Sequence, residues 1–365
     1  MLKIVLFISI INPKIILLPP KDYVYFSEIY IMWWNKMLYL GACLLLCLFS
    51  CNSQTDNAMA FQNAEPLQIN RFDRTLLRWL EHPADSAALD SLRSSYRPML
   101  ELTGKGILNV QSPEQEEFFP RLTNYYGEPT LRSLYRDAIN SFDSTSDIEK
   151  TMGQAFAFLE SIFPERIVPT LYMHVSGFNQ NILVSDSALS LSIDKYLGED
   201  YPLYRQFFPD YERAKMTRDF ASVDYLLGWL MSEFPFEGRE NVLLDRMIYS
   251  GKIYYILSLC LPDRPIESLL GYNEEAARWC HANEKMLWKT IVSRKHLYTP
   301  DITTTQKYFE NRPCTFLSDA TPGNIGAWVG FRIIQKFVAE TRCTAKQLME
   351  SGNAQDVLTR SKYKP

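Results

Sequence analysis

The sequence predicts an α+β fold that is predominantly helical, with a small antiparallel sheet of three strands near residues 167–194. Two observations indicate this class. Apolar residues recur at helical spacing over most of residues 69–163 and again after Pro209. Between these regions the pattern changes to short, β-branched and partly alternating runs. We therefore expect one domain over residues 67–365, in which helices flank a small sheet.

The first helical region contains two clear amphipathic segments. They cover residues 131–142 and 147–163, and each places its apolar side chains on one face of a helix. Ordered structure is expected to begin near Ile69. The residues before it, 51–66, are polar and low in hydrophobicity, which is typical of a flexible tether.

Three short segments then have the composition of strands: residues 167–175, 180–184 and 188–193. The last two are separated by Ser185-Asp186-Ser187, which is a hairpin-length gap. Since gaps this short favour antiparallel neighbours, we expect all three strands to be antiparallel.

The helical pattern resumes over residues 219–234 and 241–260. A third helix is expected to begin at Asn273, because an Asn cap is followed by two acidic residues in the first turn. The last long helix is expected to begin at Thr321-Pro322, with proline at its first position, and to end near residue 340.

The N-terminal part of the chain contains a lipoprotein signal. An apolar run over residues 37–49 ends in Ser50-Cys51 and changes abruptly to polar residues. Cleavage after Ser50 would leave Cys51 to carry the lipid. The run is short for a transmembrane helix, which needs roughly 20 apolar residues. The alternative is an uncleaved anchor over residues 31–49.

The position of the signal bears on the start of translation. A start at Met32 would supply Lys36 to a short basic segment, whereas a start at Met37 would leave only the free amine. We therefore interpret residues 1–31 as an over-called start and residues 32–50 as the signal peptide.

Composition excludes some classes of function. The 38 Lys and Arg residues are balanced by 42 Asp and Glu residues, so no nucleic-acid partner is predicted. Exported chains meet an oxidising space, so a disulfide is possible, with three connectivities, and buried free thiols are the alternative. The cysteines concerned are Cys260, Cys280, Cys314 and Cys343.

The sequence lacks the common catalytic motifs. There is no H-E-x-x-H, G-x-S-x-G, P-loop or G-x-G-x-x-G segment, and the four histidines do not have metal-binding spacing. No catalytic residue, metal or cofactor is therefore predicted. Seven residues are more specific than a generic helix requires and are candidates for binding or structural roles: Gly251, Lys252, Trp279, Asn283, Glu284, Gly326 and Gly330.

Tight helix packing is the favoured role for these residues. Gly251 lies inside an aromatic-rich helix, where it costs about 1 kcal/mol relative to alanine. Gly326 and Gly330, four residues apart, would form a flat stripe that a neighbouring helix can approach. Glu284, about one turn from Trp279, is a candidate buried acceptor.

Several segments in order resemble the GldB family, the gliding-motility-associated lipoproteins of Bacteroidetes. Beside the lipoprotein signal, they are Asn70-Arg71-Phe72-Asp73, Asp194-Lys195-Tyr196-Leu197-Gly198, Met247-Ile248-Tyr249-Ser250-Gly251-Lys252, Trp279 with Asn283-Glu284, Pro322-Gly323-Asn324-Ile325-Gly326 and Ser361-Lys362-Tyr363-Lys364-Pro365. The resemblance implies an exported lipoprotein needed for gliding, a process that depends on the type IX secretion system. It also implies protein partners in that machinery.

A fainter resemblance connects the chain to predicted zinc-dependent proteases. In those proteins a helix after the small sheet supplies two zinc-binding histidines and a glutamate base. The helix at that place here contains Val223-Asp224-Tyr225-Leu226-Leu227. Apolar residues replace both histidines and Asp224 is the remaining acid, so the resemblance implies a zincin-like scaffold without its metal.

The leading hypothesis is a non-catalytic envelope lipoprotein that acts by binding. It would face the periplasm, with the outer membrane favoured over the inner. Two alternatives stay open. A glycan- or substrate-binding lipoprotein would use aromatic platforms such as Trp279 and Trp288. A divergent metallo- or cysteine hydrolase would use His174, Cys280, His281 or Glu284.

Overall fold

Four short strands form one sheet, and helices make up most of the remaining described chain. The computed structural model describes residues 61–318 and 321–365. The strands are β1 (Ile69–Asn70), β2 (Thr170–His174), β3 (Ile182–Val184) and β4 (Ala188–Ser192). The predicted class, α+β and predominantly helical, is therefore confirmed.

Six helices of the described chain precede β2, and two of them match the predicted amphipathic segments. These six are α1 (Phe72–Glu81), α2 (Ser86–Ser95), α3 (Arg97–Thr103), α4 (Phe118–Tyr125), α5 (Pro129–Ser141) and α6 (Ser146–Ile162). After the sheet come α7 (Tyr204–Phe207), α8 (Asp210–Arg213), α9 (Phe220–Glu233), α10 (Leu243–Cys260), α11 (Ile266–Leu269), α12 (Glu274–Ser293), α13 (Ile302–Lys307), α14 (Ile325–Thr341), α15 (Ala345–Glu350) and α16 (Ala354–Ser361). Short π-helical and 3-10 segments occupy Gly104–Leu108 and Ile193–Lys195.

The sheet is mixed, so the prediction of three antiparallel strands is wrong. Its strand order is β1-β2-β4-β3. β2 pairs with β4 in parallel, with Leu171 opposite Leu189, and β1 adds a further parallel strand beside β2. β3 and β4 form the predicted antiparallel hairpin, with Leu183 opposite Ser190.

The parallel pairing has a topological cause. Parallel neighbours need a long crossover between them, and here the crossover from β2 to β4 contains β3 itself. Asp194, just after β4, holds the start of this crossover. Its carboxylate accepts the backbone N–H groups of Ser176 at 3.2 Å and Phe178 at 2.8 Å, and the hydroxyl of Ser192.

Buried apolar side chains form two cores. The first core surrounds the sheet and includes faces of α1 to α6 and α9, with large buried side chains such as Phe72 and Tyr225. The second core is built by α12, α14, α15 and α16, and Trp328 and Phe337 are among its largest members. All described residues belong to one compact unit.

The helix α10 belongs to both cores. Met247 and Ile248 near its start lie in the second core, whereas Ile253 and Leu257 lie in the first. A helix that is apolar on most of its faces is stable when it is buried on most of them. The helix over residues 243–260 is apolar on most of its faces, and this explains its position between the two cores.

Two helix starts test the predicted capping signals. Asn273 caps α12 as predicted, because its side-chain oxygen accepts the N–H of Ala276 at 2.9 Å. α14 begins at Ile325, later than the predicted Thr321-Pro322. The chain before it passes through Asn324 in the left-handed region, at φ 54°, which delays the first helical turn.

The four cysteines considered for disulfides are free thiols. Cys260, Cys280 and Cys314 are buried and Cys343 is partly exposed. Burial raises the pKa of the Cys280 thiol to about 12, so this group is protonated at neutral pH. Within residues 61–318 and 321–365, no helix has both the length and the apolar character needed to cross a membrane.

Candidate functional site

Cys51, the predicted lipidation site, lies outside the described residues, as do the predicted signal peptide and the over-called start. The other seven candidate residues lie on α10, α12 and α14 or at their ends. These helices all contribute to the second core, so that core is where the sequence candidates gather.

Gly251 and Gly330 allow α10 and α14 to touch. A methyl group on Gly251 would overlap the carbonyl of Gly330, and one on Gly330 would overlap the carbonyl of Met247. Gly326, one turn before Gly330, faces the ring of Phe309. These glycines therefore serve close packing in this structure.

Lys252 follows Gly251 and points to a different neighbour. Its ammonium group donates a hydrogen bond to the carbonyl of Ser351, in the link between α15 and α16. The residue is 8% exposed. Burial lowers the pKa of Lys252 to about 8, with an opposing contribution from Cys343.

Glu284 on α12 is an acceptor as considered from sequence, but it is partly buried, with its side chain 13% exposed. It accepts hydrogen bonds from Arg332 on α14 at 2.9 Å and from the hydroxyl of Tyr363 at 2.8 Å. Asn283 donates to the carbonyl of Trp279 within the same helix, at 2.9 Å. Of this group, Glu284 is therefore the residue that connects separate elements.

The aromatic residues proposed as glycan platforms are partly covered. Trp288 packs edge-on against Tyr363, with ring centroids 5.0 Å apart. Trp279 packs against the second core. Both are only partly exposed, so neither presents a fully open ring face of the kind that stacks on sugars.

The four residues of the hydrolase alternative have separate partners. His174 lies in the sheet, and its ring nitrogens contact the Ser190 hydroxyl at 2.8 Å and the Gln180 carbonyl at 3.2 Å. His281 pairs with Glu267, at 2.9 Å between Nε2 and Oε1. Cys280 is buried and protonated. The structure places His174 in the sheet and the other three on α12, so the four are not gathered from one element.

His174 is held in its neutral form. The Gln180 carbonyl can only accept, so Nε2 carries the proton and Nδ1 accepts from the Ser190 hydroxyl. Burial lowers the pKa of His174 to about 4. This histidine is a structural part of the sheet at neutral pH.

A further group of polar side chains lies beside the sheet, and we call it the Asp224 cluster. Its members come from five separate segments of the chain and have mutual hydrogen-bonding or electrostatic interactions. They are Asn181, Lys195, Tyr196, Lys215, Asp224 and Tyr254. All except Tyr196 are partly exposed.

Asp224, on α9, is the centre of this cluster. Its Oδ2 accepts the Tyr196 hydroxyl at 2.6 Å and the Asn181 amide at 3.2 Å. Asn181 also donates to the Tyr196 oxygen, at 3.0 Å. Loss of hydration raises the pKa of Asp224, and the hydrogen bonds together with nearby Lys215 and Lys195 oppose this rise.

Lys215 brings a positive charge to the cluster from the segment before α9. Loss of hydration lowers the pKa of Lys215, and the negative charge of Asp224 opposes the change. Its Nζ donates to Asn311 at 3.3 Å. Gly271, at φ 75°, leaves room for the aliphatic part of the lysine, where a methyl group would collide.

Tyr254 completes the cluster from α10. Loss of hydration raises the pKa of its hydroxyl, Asp224 acts in the same direction, and a hydrogen bond with Asn324 acts in the opposite one. Asn324 is the left-handed residue before α14. The cluster therefore joins the sheet and α9 to the helices of the second core.

Sequence reasoning singled out Asp224 as the acid left in its helix but did not place a site around it. Two segments that carried the family resemblance supply its neighbours, Lys195-Tyr196 and Asn324. Both segments are among those that carry the family resemblance, and this shared property is the signal that could have indicated the cluster. No group of three or more His, Cys, Asp or Glu side chains within the described ranges is arranged to hold a metal ion.

One comparison with known proteins gives a match. The family model described as gliding motility protein GldB covers residues 52–365, so the chain belongs to that family. Neither the curated proteins nor the solved structures contain a match. The resemblance inferred from sequence is confirmed, and the zincin-like scaffold stays a prediction.

Proposed function

We propose that this GldB-family chain is a lipid-anchored protein of the cell envelope that supports gliding motility by binding a partner and not by catalysis. Family membership supports the link to gliding. The signal pattern before Cys51 supports the lipid anchor. The folded domain would then face the periplasm, with the outer membrane favoured over the inner.

The Asp224 cluster is the observation that carries the binding proposal. It brings a carboxylate, two ammonium groups and a phenol, all on partly exposed residues, within hydrogen-bonding or electrostatic reach of Asp224. Such a set has both donors and acceptors, which is what an extended protein segment requires of a polar recognition site. Its residues include no thiol or histidine, so the nucleophile and base of the hydrolase alternative are not among them.

Exchange of Asp224 for asparagine tests the binding site. The variant keeps the shape of the side chain and removes its charge. We expect Asp224→Asn to lose co-purifying envelope proteins in native detergent and to restore gliding poorly in a deletion strain. The control is Asp186→Asn, at an exposed position in the β3–β4 turn. Unchanged partners in Asp224→Asn would contradict the proposed site.

Catalysis has its own test on the same purified chain. We expect no peptide hydrolysis that depends on a metal. Hydrolysis abolished by EDTA, together with one equivalent of bound zinc, would overturn the non-catalytic proposal and restore the hydrolase alternative.

The anchor is tested at Cys51. Cells that express the wild-type chain should incorporate labelled palmitate into it and keep it in the membrane fraction. Cys51→Ala should lose both the label and the membrane location, whereas Cys47→Ala, four residues upstream, should keep them. Label retained in Cys51→Ala would show that another residue carries the lipid.

A further inference from the structure

A pocket of about 670 Å³ lies next to Lys252, away from the Asp224 cluster. It opens between the segment 233–239, α10 and the link between α15 and α16. Its volume is within the range of pockets that hold small molecules. None of its lining residues belongs to the Asp224 cluster, so an inference from it goes beyond the proposed function.

Lys252 gives this pocket a positive charge without a described acidic partner. The residue is more than nine-tenths buried, and its described hydrogen bond is to the Ser351 carbonyl. An ammonium group has three donors, so one carbonyl does not satisfy it. A buried cation is stable when an anion or further acceptors are present.

The other charges of the pocket are largely neutralised. Arg166 pairs with Glu233 at 3.2 Å, and Arg239 pairs with Asp245 at 2.9 Å. Glu237 is exposed, where water screens its charge. Three basic and three acidic side chains line the pocket, and among them Lys252 is the buried one without a described ion-pair partner.

The N-terminal end of α16 lies against the same pocket. Asn353, Ala354 and Gln355 line it. Asn353 already accepts the backbone N–H groups of Gln355 and Asp356, at 2.9 and 3.1 Å, so these donors are occupied. The helix nevertheless contributes a positive potential, which favours an anion.

Aromatic side chains form the remaining walls. Phe236 and Tyr249 pack edge-on, with ring centroids 5.2 Å apart, and Phe234 lies under the guanidinium of Arg166 at 4.9 Å. A ligand that fits such walls has an apolar body beside its charged group.

We propose that this pocket binds an organic monocarboxylate, with the carboxylate on the Lys252 ammonium group and the apolar body against Phe236 and Tyr249. One unpaired ammonium group is matched by one negative charge, so a phosphate dianion fits less well. Both a free aromatic or aliphatic acid and the C-terminus of a peptide carry this chemistry, and the probes below distinguish them.

Binding is measured by calorimetry on the purified full chain in detergent. The probes are 3-phenylpropionate and the peptide Ala-Ala-Phe, each with its amide, and inorganic phosphate. We expect one or both carboxylates to bind and their amides to bind at least tenfold more weakly. Binding of the acid alone assigns a small-molecule source, and binding of the peptide assigns a peptide C-terminus. Equal binding of the amides, binding of phosphate alone, or no binding of either carboxylate overturns the proposal.

Lys252→Met removes the charge and keeps most of the length of the side chain. We expect it to weaken the carboxylate at least tenfold, while Lys289→Met, at an exposed lysine outside the pocket, has no effect. Should Lys252→Met not fold, acetylation of the wild-type chain by acetic anhydride decides the question. Bound carboxylate should protect Lys252 and not Lys289 in mass spectra, and equal labelling of Lys252 with and without ligand contradicts the proposal.

Discussion

The two cores of this molecule are stabilised by different interactions. The first core buries several hydrogen-bonded polar groups, such as Asp194 beside β4 and His174 within β2. The second core relies on steric fit, since Gly251 and Gly330 bring two helices into contact. Its ion pair of Glu284 with Arg332 lies at its margin, whereas the buried Glu267 carboxylate accepts the Trp328 indole N–H at 3.0 Å.

The difference predicts how each core responds to its surroundings. Buried hydrogen bonds and titratable groups make a structure sensitive to pH and to the loss of single acceptors. Close-packed backbones make a structure sensitive to added volume and insensitive to pH. The hydrogen-bonded groups of the first core should therefore respond to protonation, and the contact of α10 with α14 in the second core should respond to shape.

Removal of the Asp194 carboxylate should have the largest effect. Asp194→Ala leaves the N–H groups of Ser176 and Phe178 buried without their acceptor. We expect a loss of about 4 kcal/mol in the free energy of unfolding, since each such group costs roughly 1–3 kcal/mol. Urea unfolding followed by tryptophan fluorescence measures it. Asp186→Ala is the exposed control, and a similar small loss in both variants would contradict the role of Asp194.

His174 should make stability fall in acid. The pKa of His174 is about 4 in the folded chain, below its ordinary value of 6.5, so the unfolded chain binds a proton first as pH falls. Its contribution is complete above pH 6.5 and is lost as pH falls towards 4, by about 3 kcal/mol. His174→Gln keeps a donor but cannot titrate. Unfolding free energies at several pH values should show a smaller decline in this variant, and equal slopes would contradict the assignment.

An added methyl group should damage the second core by a similar or smaller amount. Gly330→Ala places a methyl group against the Met247 carbonyl, and we expect a loss of about 2 kcal/mol. Gly352→Ala, which has no heavy atom within 4 Å, should be neutral or slightly stabilising. The loss in Gly330→Ala should be the same at pH 5 and pH 8. A loss that depends on pH would break the distinction between the two cores.

The smallest effect is expected at the margin of the second core. Tyr363→Phe removes the hydroxyl that donates to Glu284 and should cost about 1 kcal/mol. Tyr298→Phe, at a residue that is 51% exposed, is the matched control. Urea midpoints of the two variants give the comparison, and a loss larger than that of Gly330→Ala would show that polar contacts dominate this core too.

Helices were predictable because their signals are local. Spacing of apolar residues located α5, α6, α9 and α10, and Asn273 marked the start of α12. Strand pairing is not local. The gaps between strands identified the hairpin of β3 and β4, but they could not show that β4 lies between β2 and β3, or that Ile69–Asn70 adds a fourth strand.

The candidate site shows the same limit. Close packing at Gly251 and Gly330 was predictable because a glycine inside a helix destabilises it unless another backbone needs the space. The Asp224 cluster was not, because Lys215, Tyr196 and Tyr254 come from different segments and each is ordinary in its own context. Their meeting depends on the fold, which sequence spacing does not encode.

The helix shared by the two cores has a mechanical consequence. α10 has 18 residues and is about 27 Å long, so it is a rod that reaches from one core into the other. The chain before the first core is fastened to α6, where the N–H of Leu67 donates to the Glu149 carbonyl at 2.9 Å. For a domain tethered at its N-terminal end, traction that enters the first core can pass to the second along this continuous helix. Such a domain would transmit a pull as one body.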